Sequence, residues 1–372
     1  MSDCAAIILA AGDSIRMKSA YPYVMLKLLS KPMISWVVEA AKKSGVDDVA
    51  IIVSKPENMV AEYVLGSCEV VVQSTPLGTA HAVLQAMEFI KEHKDGNILI
   101  LNGDSPLMDA ATIRTALMIH KNAENDVTVI SAKIDKPFGY GRIVRDRDNG
   151  TFKAIVEEKD ATGDVKRIDE ISSGAYWFRA EALIEALSNL KPRANGEYNL
   201  VDSVTYLINK GCKADTSFAM TPDVVLGAND RIQLHQLNHI ARMRELEGHL
   251  EAGVDIPCFE SVMIDPGVQI GMDTTILSGT ILRGKVVIGR NCIIGPNTII
   301  ENSTIGDDVV FNNVQCYGST VKNRVVAGPY VYIKQNSVIG EDFVVKSFSN
   351  VKHSLFKDDL DLTYIESSDL DN

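Results

Sequence analysis

No stretch of this 372-residue sequence approaches the roughly 20 consecutive apolar residues of a membrane-spanning helix. The opening Met1 to Cys4 also lacks the charged start of a secretory signal, so the cytoplasm is the expected compartment. Positive charge is in short supply: 37 lysines and arginines face 49 carboxylates, a formal net charge of -12. That balance disfavours nucleic-acid wrapping or attraction to an anionic membrane, and leaves a small molecule as the expected partner. Cysteine is sparse and scattered at positions 4, 68, 212, 258, 292 and 316, without the paired spacing of a zinc site. Reduced, structural thiols are expected rather than disulfides. Two familiar phosphate fingerprints are missing as well: no glycine is followed by the lysine and hydroxyl residue of a P-loop, and the dinucleotide glycine pattern is incomplete.

What the chain does contain near its start is the apolar run Ala5 to Leu9, which passes into Ala10-Ala11-Gly12-Asp13-Ser14-Ile15-Arg16-Met17. It reads as a buried strand breaking into a glycine loop that carries an arginine. Backbone N–H groups of such a loop cradle an anion, and a guanidinium binds phosphate in bidentate fashion. The pattern points to a nucleotide, although many α/β proteins carry a strand and glycine turn that bind nothing.

Two regions of different rhythm follow, with the change near residue 255. Strand-like runs at Val49 to Val53, Val70 to Val72, Ile98 to Leu101 and Val127 to Ile130 alternate with helical patterns at Met33 to Lys43, Thr79 to His93 and Ala110 to His120. This alternation predicts a mostly parallel α/β sheet with crossover helices. Beyond it, aliphatic residues recur at every sixth position: Ile264, Ile270, Ile276, Leu282, Ile288, Ile294 and Ile300. The phase slips at Ile305, recovers at Phe311, and continues in a second series through Val321, Ala327, Ile333, Ile339, Val345 and Val351. Helices do not repeat at six; a parallel β-helix of roughly five coils does, with the aliphatic ladder as its core. The expected organisation is an α/β domain at 1–230, a helical linker at 231–256, a hexapeptide β-helix at 257–354 and an acidic tail at 355–372.

Several motifs in the first region share a chemical theme. Asp104 follows the Ile98 to Leu101 strand at its carboxyl end, where open α/β sheets bind ligands. It reads either as a magnesium ligand or as a cap for the helix after Pro106. Gln73 and the turn Leu77-Gly78-Thr79 suit reading a base edge, or a plain helix start capped by Thr79. His81 reads as a packed helix residue, because no nucleophile pattern accompanies it.

Taken together and in this order, the motifs resemble the bacterial N-acetylglucosamine-1-phosphate uridyltransferase, the N-terminal half of a bifunctional enzyme whose C-terminal half is a left-handed hexapeptide β-helix. The resemblance runs through Leu9 to Gly12 with Arg16-Met17, Lys31-Pro32-Met33, Gln73 with Leu77-Gly78-Thr79, Gly103-Asp104 with Pro106-Leu107, Gly139 to Ile143, Ile155-Val156-Glu157 with Lys159-Asp160-Ala161, Gly196-Glu197-Tyr198 and Asn229-Asp230-Arg231. It implies that Ala11, Gly12, Gln73, Gly78 and Thr79 receive the uridine and that Arg16 faces the phosphates. Gly141 and Glu157, with Ser172 beside them, would hold the sugar, and Asp104 and Asn229 would bind Mg2+. The implied substrates are UTP and a sugar 1-phosphate, the product is UDP-N-acetylglucosamine or a close relative, a cell-wall precursor, and the implied oligomer is a homotrimer through the β-helix. The nucleophile is an already ionised phosphate, so alignment and charge neutralisation suffice without a general base.

The departures carry their own expectations. Ser14 and Ile15 stand where the family has a second glycine and a threonine, and Tyr23 follows Pro22 where it has a phosphate-binding lysine. Loss of such a cation commonly removes several kcal/mol of transition-state stabilisation, about a hundredfold or more in rate. Lys18 and Lys27 are the nearby candidates to replace it. Ser172-Ser173-Gly174 replaces an Asn-Thr-Gly run, and Asn102 replaces an aromatic residue before Gly103-Asp104, which bears on the sugar accepted. Asp361, before Leu362-Thr363-Tyr364-Ile365, stands where the acetyltransferase histidine would be, so no acetyltransferase activity is expected. Three readings remain: a uridyltransferase, a sugar-nucleotide binding or sensor protein impaired by Tyr23, and an assembly scaffold built on the β-helix.

Overall fold

The computed structural model describes residues 3–12, 15–55 and 59–352. Asp13 and Ser14, the acidic tail and the Asp361 segment therefore lie outside the described residues. The chain divides into two compact units, Met1–Leu237 and Asn238–Asn372.

The first unit is built on one sheet. Its strands are β1 (Cys4–Leu9), β2 (Lys27–Leu28) and β3 (Lys31–Pro32), which pair apart as a small ribbon, then β4 (Asp48–Val53), β5 (Glu69–Val72), β6 (Asn97–Asn102), β7 (Val127–Lys133), β8 (Gly141–Arg145), β9 (Phe152–Val156), β10 (Glu170–Arg179) and β11 (Ala214–Phe218). The main sheet runs in the order β11-β7-β10-β6-β1-β4-β5, with the β8 and β9 hairpin attached to β10. Pairings β1 to β4, β1 to β6, β4 to β5 and β11 to β7 are parallel, whereas β10 lies antiparallel between β6 and β7. The α/β reading and its mostly parallel sheet are observed. The antiparallel β10 and its hairpin have no counterpart in the strand runs read from sequence, because a strand's direction depends on partners distant in the chain.

Period-two alternation divides the central strand between two cores. Ala5, Ile7 and Leu9 of β1 join one apolar cluster, and Cys4, Ala6, Ile8 and Ala10 join the other. Helices α1 (Met33–Lys43), α2 (Met59–Val64) and α5 (Ala110–Asn122) cover the second cluster; α3 (Thr79–Gln85), α4 (Met87–Glu92), α6 (Ala180–Asn189) and α7 (Leu200–Lys210) cover the first. The single helix read over Thr79 to His93 is two, because Ala86 leaves helical geometry at φ -91°, ψ 21°. All six cysteines are free: Cys4, Cys68 and Cys212 belong to or pack against these cores, Cys292 and Cys316 are buried inside the β-helix, and Cys258 is half-buried ahead of its first strand. No helix among the described residues is long and apolar enough to cross a membrane.

Helix α8 (Arg231–Glu251) carries the chain into the second unit. There, short parallel strands stack into sheets of six, five and five to form the three walls of a left-handed parallel β-helix. The ladder read from the sequence points inward: Ile264, Ile276, Leu282, Ile288, Ile294 and Ile300 are all buried, and Ile270 is half-buried. Most coils advance 18 residues, as from Ile281 to Ile299, but Ile288 pairs with Ile305 and Phe311 with Ala327 in shorter coils of 17 and 16 residues. The phase slip is thus a trimmed corner that leaves the stack intact. Corners are turned by residues with positive φ, mostly asparagine and aspartate such as Asn291, Asn297, Asn302, Asp308 and Asn313, whose short side chains tolerate that conformation.

Candidate active site

After β1 the chain winds to β4 and β5 on one side, and β6 then pairs with the opposite edge of β1. The carboxyl ends of β1 and β6, where Leu9 faces Asn102, therefore form the switch point at which open α/β sheets leave a crevice. Two adjoining cavities open there. A cleft of about 510 Å³ is lined by Ala11, Gly12, Arg16, Tyr23, Gln73, Gly78, Thr79, Asn102, Asp104 and Asn229, with others. A second cavity of about 210 Å³ is lined by Gly141, Glu157, Ser172, Tyr140, Tyr176 and Gly227, and it shares Leu9, Thr79, Asn102, Asp104 and Asn229 with the first. All the residues singled out from the sequence for nucleotide, sugar or metal thus line one cavity or the other.

The wall that holds Gln73, Gly78 and Thr79 is tightly constructed. Gln73, which continues β5, is buried and donates through Nε2 to the Gly78 carbonyl at 3.1 Å, with His81 Nδ1 at 3.0 Å. Its amide hydrogens are used within the protein, which leaves the carbonyl oxygen as the group offered to a ligand. Gly78 has φ +102°, and a Cβ there would lie 2.5 Å from the Tyr198 carbonyl oxygen. Only glycine fits. The turn is tied to the approach to α7 by Tyr198 N–H to the Leu77 carbonyl (2.8 Å) and Ala80 N–H to the Tyr198 carbonyl (2.9 Å). Thr79 does not cap α3: its hydroxyl accepts the Leu200 N–H at 2.9 Å, at the start of α7. His81 is a half-buried helix residue whose ring orients Gln73.

Asp104 does not cap a helix either. That position before α5 belongs to Asp109, whose side chain accepts from Thr112 N–H at 2.7 Å. Burial pushes the Asp104 carboxyl up to about 6, opposed by its backbone hydrogen bond, by the Arg16 charge and by the Ser105 hydroxyl at 3.5 Å. A poorly solvated carboxylate with so little hydrogen bonding is suited to a cation. Asn229 is brought beside it because Ala228 N–H donates to the Asp104 carbonyl at 2.9 Å. The pair offers an anionic and a neutral oxygen, and no group of three or more His, Cys, Asp or Glu gathers anywhere among the described residues. Such a site fits a hard ion that takes its remaining ligands from phosphate and water.

In the smaller cavity, burial raises the Glu157 carboxyl, opposed by Arg193 and Lys159. Arg193 is itself clamped to Asp202 at 2.8 and 2.6 Å. Ser172 and Tyr176 place their hydroxyls 3.5 Å apart at the cavity wall. Tyr23 lines the larger cleft with its ring packed on Gly12, which would bring a Cβ at that position within 3.1 Å of it. Among the described residues lining that cleft, Arg16 is the one cation; Lys18 and Lys27 are not part of the lining. Tyr140, Tyr176, Asn199 and Gly227 also line the cavities; none was singled out as a site residue from the sequence, and Tyr140 entered only within the Gly139 to Ile143 run. Glycines on both sides of Tyr140 were the available signal for one of them; the others arrive through contacts distant in sequence.

An α/β sheet with a nucleotide-sized cleft at its switch point, followed by a hexapeptide β-helix, defines a nucleotidyltransferase of the β-helix-bearing class. Comparison with known proteins agrees: residues 5–221 match the nucleotidyl transferase family, and residues 267–302 match the bacterial transferase hexapeptide (six repeats). The chain is 42% identical over 342 residues to the bifunctional protein GlmU of Caldanaerobacter subterraneus subsp. tengcongensis, covering 91% of this chain and 74% of that protein. It is 38% identical over 361 residues to the GlmU of Acetivibrio thermocellus, covering 97% and 78% respectively. A solved structure of a putative glucose-1-phosphate thymidylyltransferase from Bacillus anthracis shares the fold, with TM-score 0.54 and 22% identity over 64% of this chain and 95% of that one. The chain belongs to the bifunctional GlmU family, and its first unit is a nucleotidyltransferase of the sugar-1-phosphate type.

Proposed function

We propose that this chain transfers UMP from UTP to N-acetylglucosamine 1-phosphate, giving UDP-N-acetylglucosamine and pyrophosphate. The observation that carries the reading is the joining of two cavities at Asp104 and Asn229, one sized for a nucleotide and the other polar and sugar-sized. In this reading a phosphate oxygen of the sugar phosphate attacks the α-phosphorus while the bond to the bridging oxygen of pyrophosphate breaks, so no proton need be removed.

Each lining residue then has a task. Gln73 offers its carbonyl oxygen to a base N–H, as uracil N3 provides. Ala11 and Gly12 let the nucleotide approach the backbone, Gly78 and Thr79 shape the wall beside it, and Arg16 faces the triphosphate and offsets charge on the departing pyrophosphate. Gly141, Glu157 and Ser172 border the sugar, with Glu157 as the acceptor for its hydroxyls. Asp104 and Asn229 would hold Mg2+, which when bound neutralises phosphate charge and orients the α-phosphate. A homotrimer through the β-helix is part of the proposal, supported by the exposed Ile293, Val326 and Val344 on one wall of the stack. A cytoplasmic location belongs to the same reading.

One observation favours a second reading, that of a sugar-nucleotide binding protein with impaired turnover: Tyr23 occupies the cleft where the family resemblance places a lysine. Pyrophosphate release by the purified chain with UTP, Mg2+ and N-acetylglucosamine 1-phosphate, against glucose 1-phosphate and no-sugar controls, tests both. Release that depends on the acetylated sugar is expected; UTP binding without release from any sugar phosphate would establish the second reading instead.

A further inference from the structure

The smaller cavity is closed on one side by the 137–141 loop, and that loop is held by a charge that the reaction itself does not use. Arg142 on β8 has only 3% of its side chain exposed, and its Nη2 donates to Glu158 Oε2 at 2.6 Å. Its Nη1 donates to the carbonyl of Tyr140, while Nε is buried without a hydrogen-bond partner. The same Glu158 oxygen accepts the backbone N–H of Gly139 at 3.2 Å. One guanidinium and one carboxylate therefore grip the loop at the two peptide units that flank the Gly139–Tyr140 bond. Between them, Tyr140 N–H donates to the Pro137 carbonyl at 3.2 Å, closing a turn with Gly139 at φ +88°. A glycine with positive φ at the third position is the mark of a type II turn, a shape the chain abandons readily unless something holds it.

Three consequences of this placement matter. Gly141, which lines the cavity, is the residue between the gripped Tyr140 carbonyl and Arg142 itself. Glu157, which lines the same cavity, is the immediate neighbour of Glu158, so successive carboxylates serve opposite sides of the chain: one borders the cavity and the other faces the clasp. Finally, the Tyr140 hydroxyl accepts Gly227 N–H at 3.4 Å, next to Ala228, whose own N–H is tied to the Asp104 carbonyl. The clasp thus sits behind both cavity-facing residues of this wall and connects through Tyr140 to the segment that carries Asn229.

We propose that Arg142 and Glu158 are positioning residues that lock the 137–141 loop, with Gly141 and Glu157, into the shape that receives the sugar phosphate. The proposal rests on the reading of the smaller cavity as the sugar-phosphate subsite. Neither residue lines either cavity. Their effect is on preorganisation: a loop released from the clasp samples open shapes, and binding must then pay the ordering that the ion pair now supplies. With Arg142 only 3% exposed, removal of Glu158 leaves a buried guanidinium without its partner carboxylate, which disfavours the clasped arrangement.

The test is steady-state kinetics and calorimetry on the full chain with Glu158→Ala and Glu158→Gln, alongside thermal melts. Glu158→Ala is expected to raise KM for N-acetylglucosamine 1-phosphate about 10- to 100-fold, with kcat and the KM for UTP within about threefold of the parent. Glu158→Gln keeps an acceptor for Gly139 N–H, so an intermediate rise is expected, and it carries the test where the alanine variant fails to fold. Unchanged sugar-phosphate KM in a folded variant overturns the proposal; so does a parallel rise in the KM for UTP, which a general loss of structure would produce. Where the parent shows no turnover, the calorimetric Kd for N-acetylglucosamine 1-phosphate replaces KM. A parent that binds the sugar phosphate with the same Kd as its variants overturns the clasp alone, and a parent that binds none overturns the subsite reading beneath it.

Discussion

Replacing Gly78 by alanine isolates the turn on which the nucleotide wall depends. At φ +102° and ψ 176° the position lies in a region that is essentially glycine-only, and holding another residue there costs about 1–3 kcal/mol. The new Cβ would also stand 2.5 Å from the Tyr198 carbonyl oxygen and 3.0 Å from its nitrogen, both backbone atoms that no rotamer change can move aside. Relief requires separating the turn from the chain before α7, which breaks the Tyr198 to Leu77 and Ala80 to Tyr198 hydrogen bonds at 2.8 and 2.9 Å, about 1 kcal/mol each. Together these effects predict a loss of about 3 to 5 kcal/mol in the first unit. Both tryptophans, Trp36 and Trp177, lie in that unit, so urea unfolding followed by tryptophan fluorescence reports it without interference from the β-helix. Gly211→Ala is the control: it also has positive φ, +85°, but nothing within 4 Å of its Cβ, so only conformational strain of about 1–2 kcal/mol is expected. UTP affinity should fall at least tenfold in Gly78→Ala alone. A Gly78→Ala protein no less stable than Gly211→Ala, with unchanged UTP affinity, would refute the steric argument.

Other outcomes follow from the same structure. Asp104→Ala is expected to abolish Mg2+-dependent pyrophosphate release; unchanged release would remove Asp104 from the metal site. Tyr23→Lys is expected to raise turnover about tenfold or more by adding a cation to the cleft, and a fall would show that the ring packed on Gly12 has its own role. Burial lowers His120 to about 4 from 6.5, with hydrogen bonds to Thr128 Oγ1 at 2.9 Å and Asn97 Oδ1 at 3.1 Å. Because the folded value lies below the unfolded one, its contribution is fully present above about pH 6.5 and disappears as pH falls toward 4, a span of about 3 kcal/mol. The stability of His120→Gln should therefore depend less on pH across that window than the parent's; parallel curves would contradict the assignment. Phe311→Ala, at a fully buried rung of the β-helix, is expected to destabilise the second unit by about 3–5 kcal/mol in circular-dichroism melts, and a cost under 1 kcal/mol would mean the coil collapses around the gap.

The legible parts of this protein are those whose physics is local. A hexad of aliphatic residues can hide itself only by turning every sixth side chain inward, so Ile264 to Val351 declared the β-helix before any coordinates did. The break from Leu9 into a glycine loop, and the polar turn after Leu101, likewise placed Gly12, Arg16 and Asp104 at strand ends, because a buried apolar run must end where its backbone meets water. Tertiary structure decided the rest. Thr79 looks like a helix cap in sequence, yet its hydroxyl serves Leu200, 121 residues away. Asp104 competes with Asp109 for the start of α5, and only the observed hydrogen bond to Thr112 separates them. The insertion of β10 between β6 and β7, the burial of Arg142 against Glu158 and the approach of Gly227 to Tyr140 leave no periodic trace. Sequence by itself determined the coil rungs and the strands of the parallel part of the sheet, since those choices minimise exposed apolar surface over a few residues. Which loops converge on one cavity, and which charge is spent holding rather than binding, was decided only when the sheet order brought distant segments within hydrogen-bonding reach.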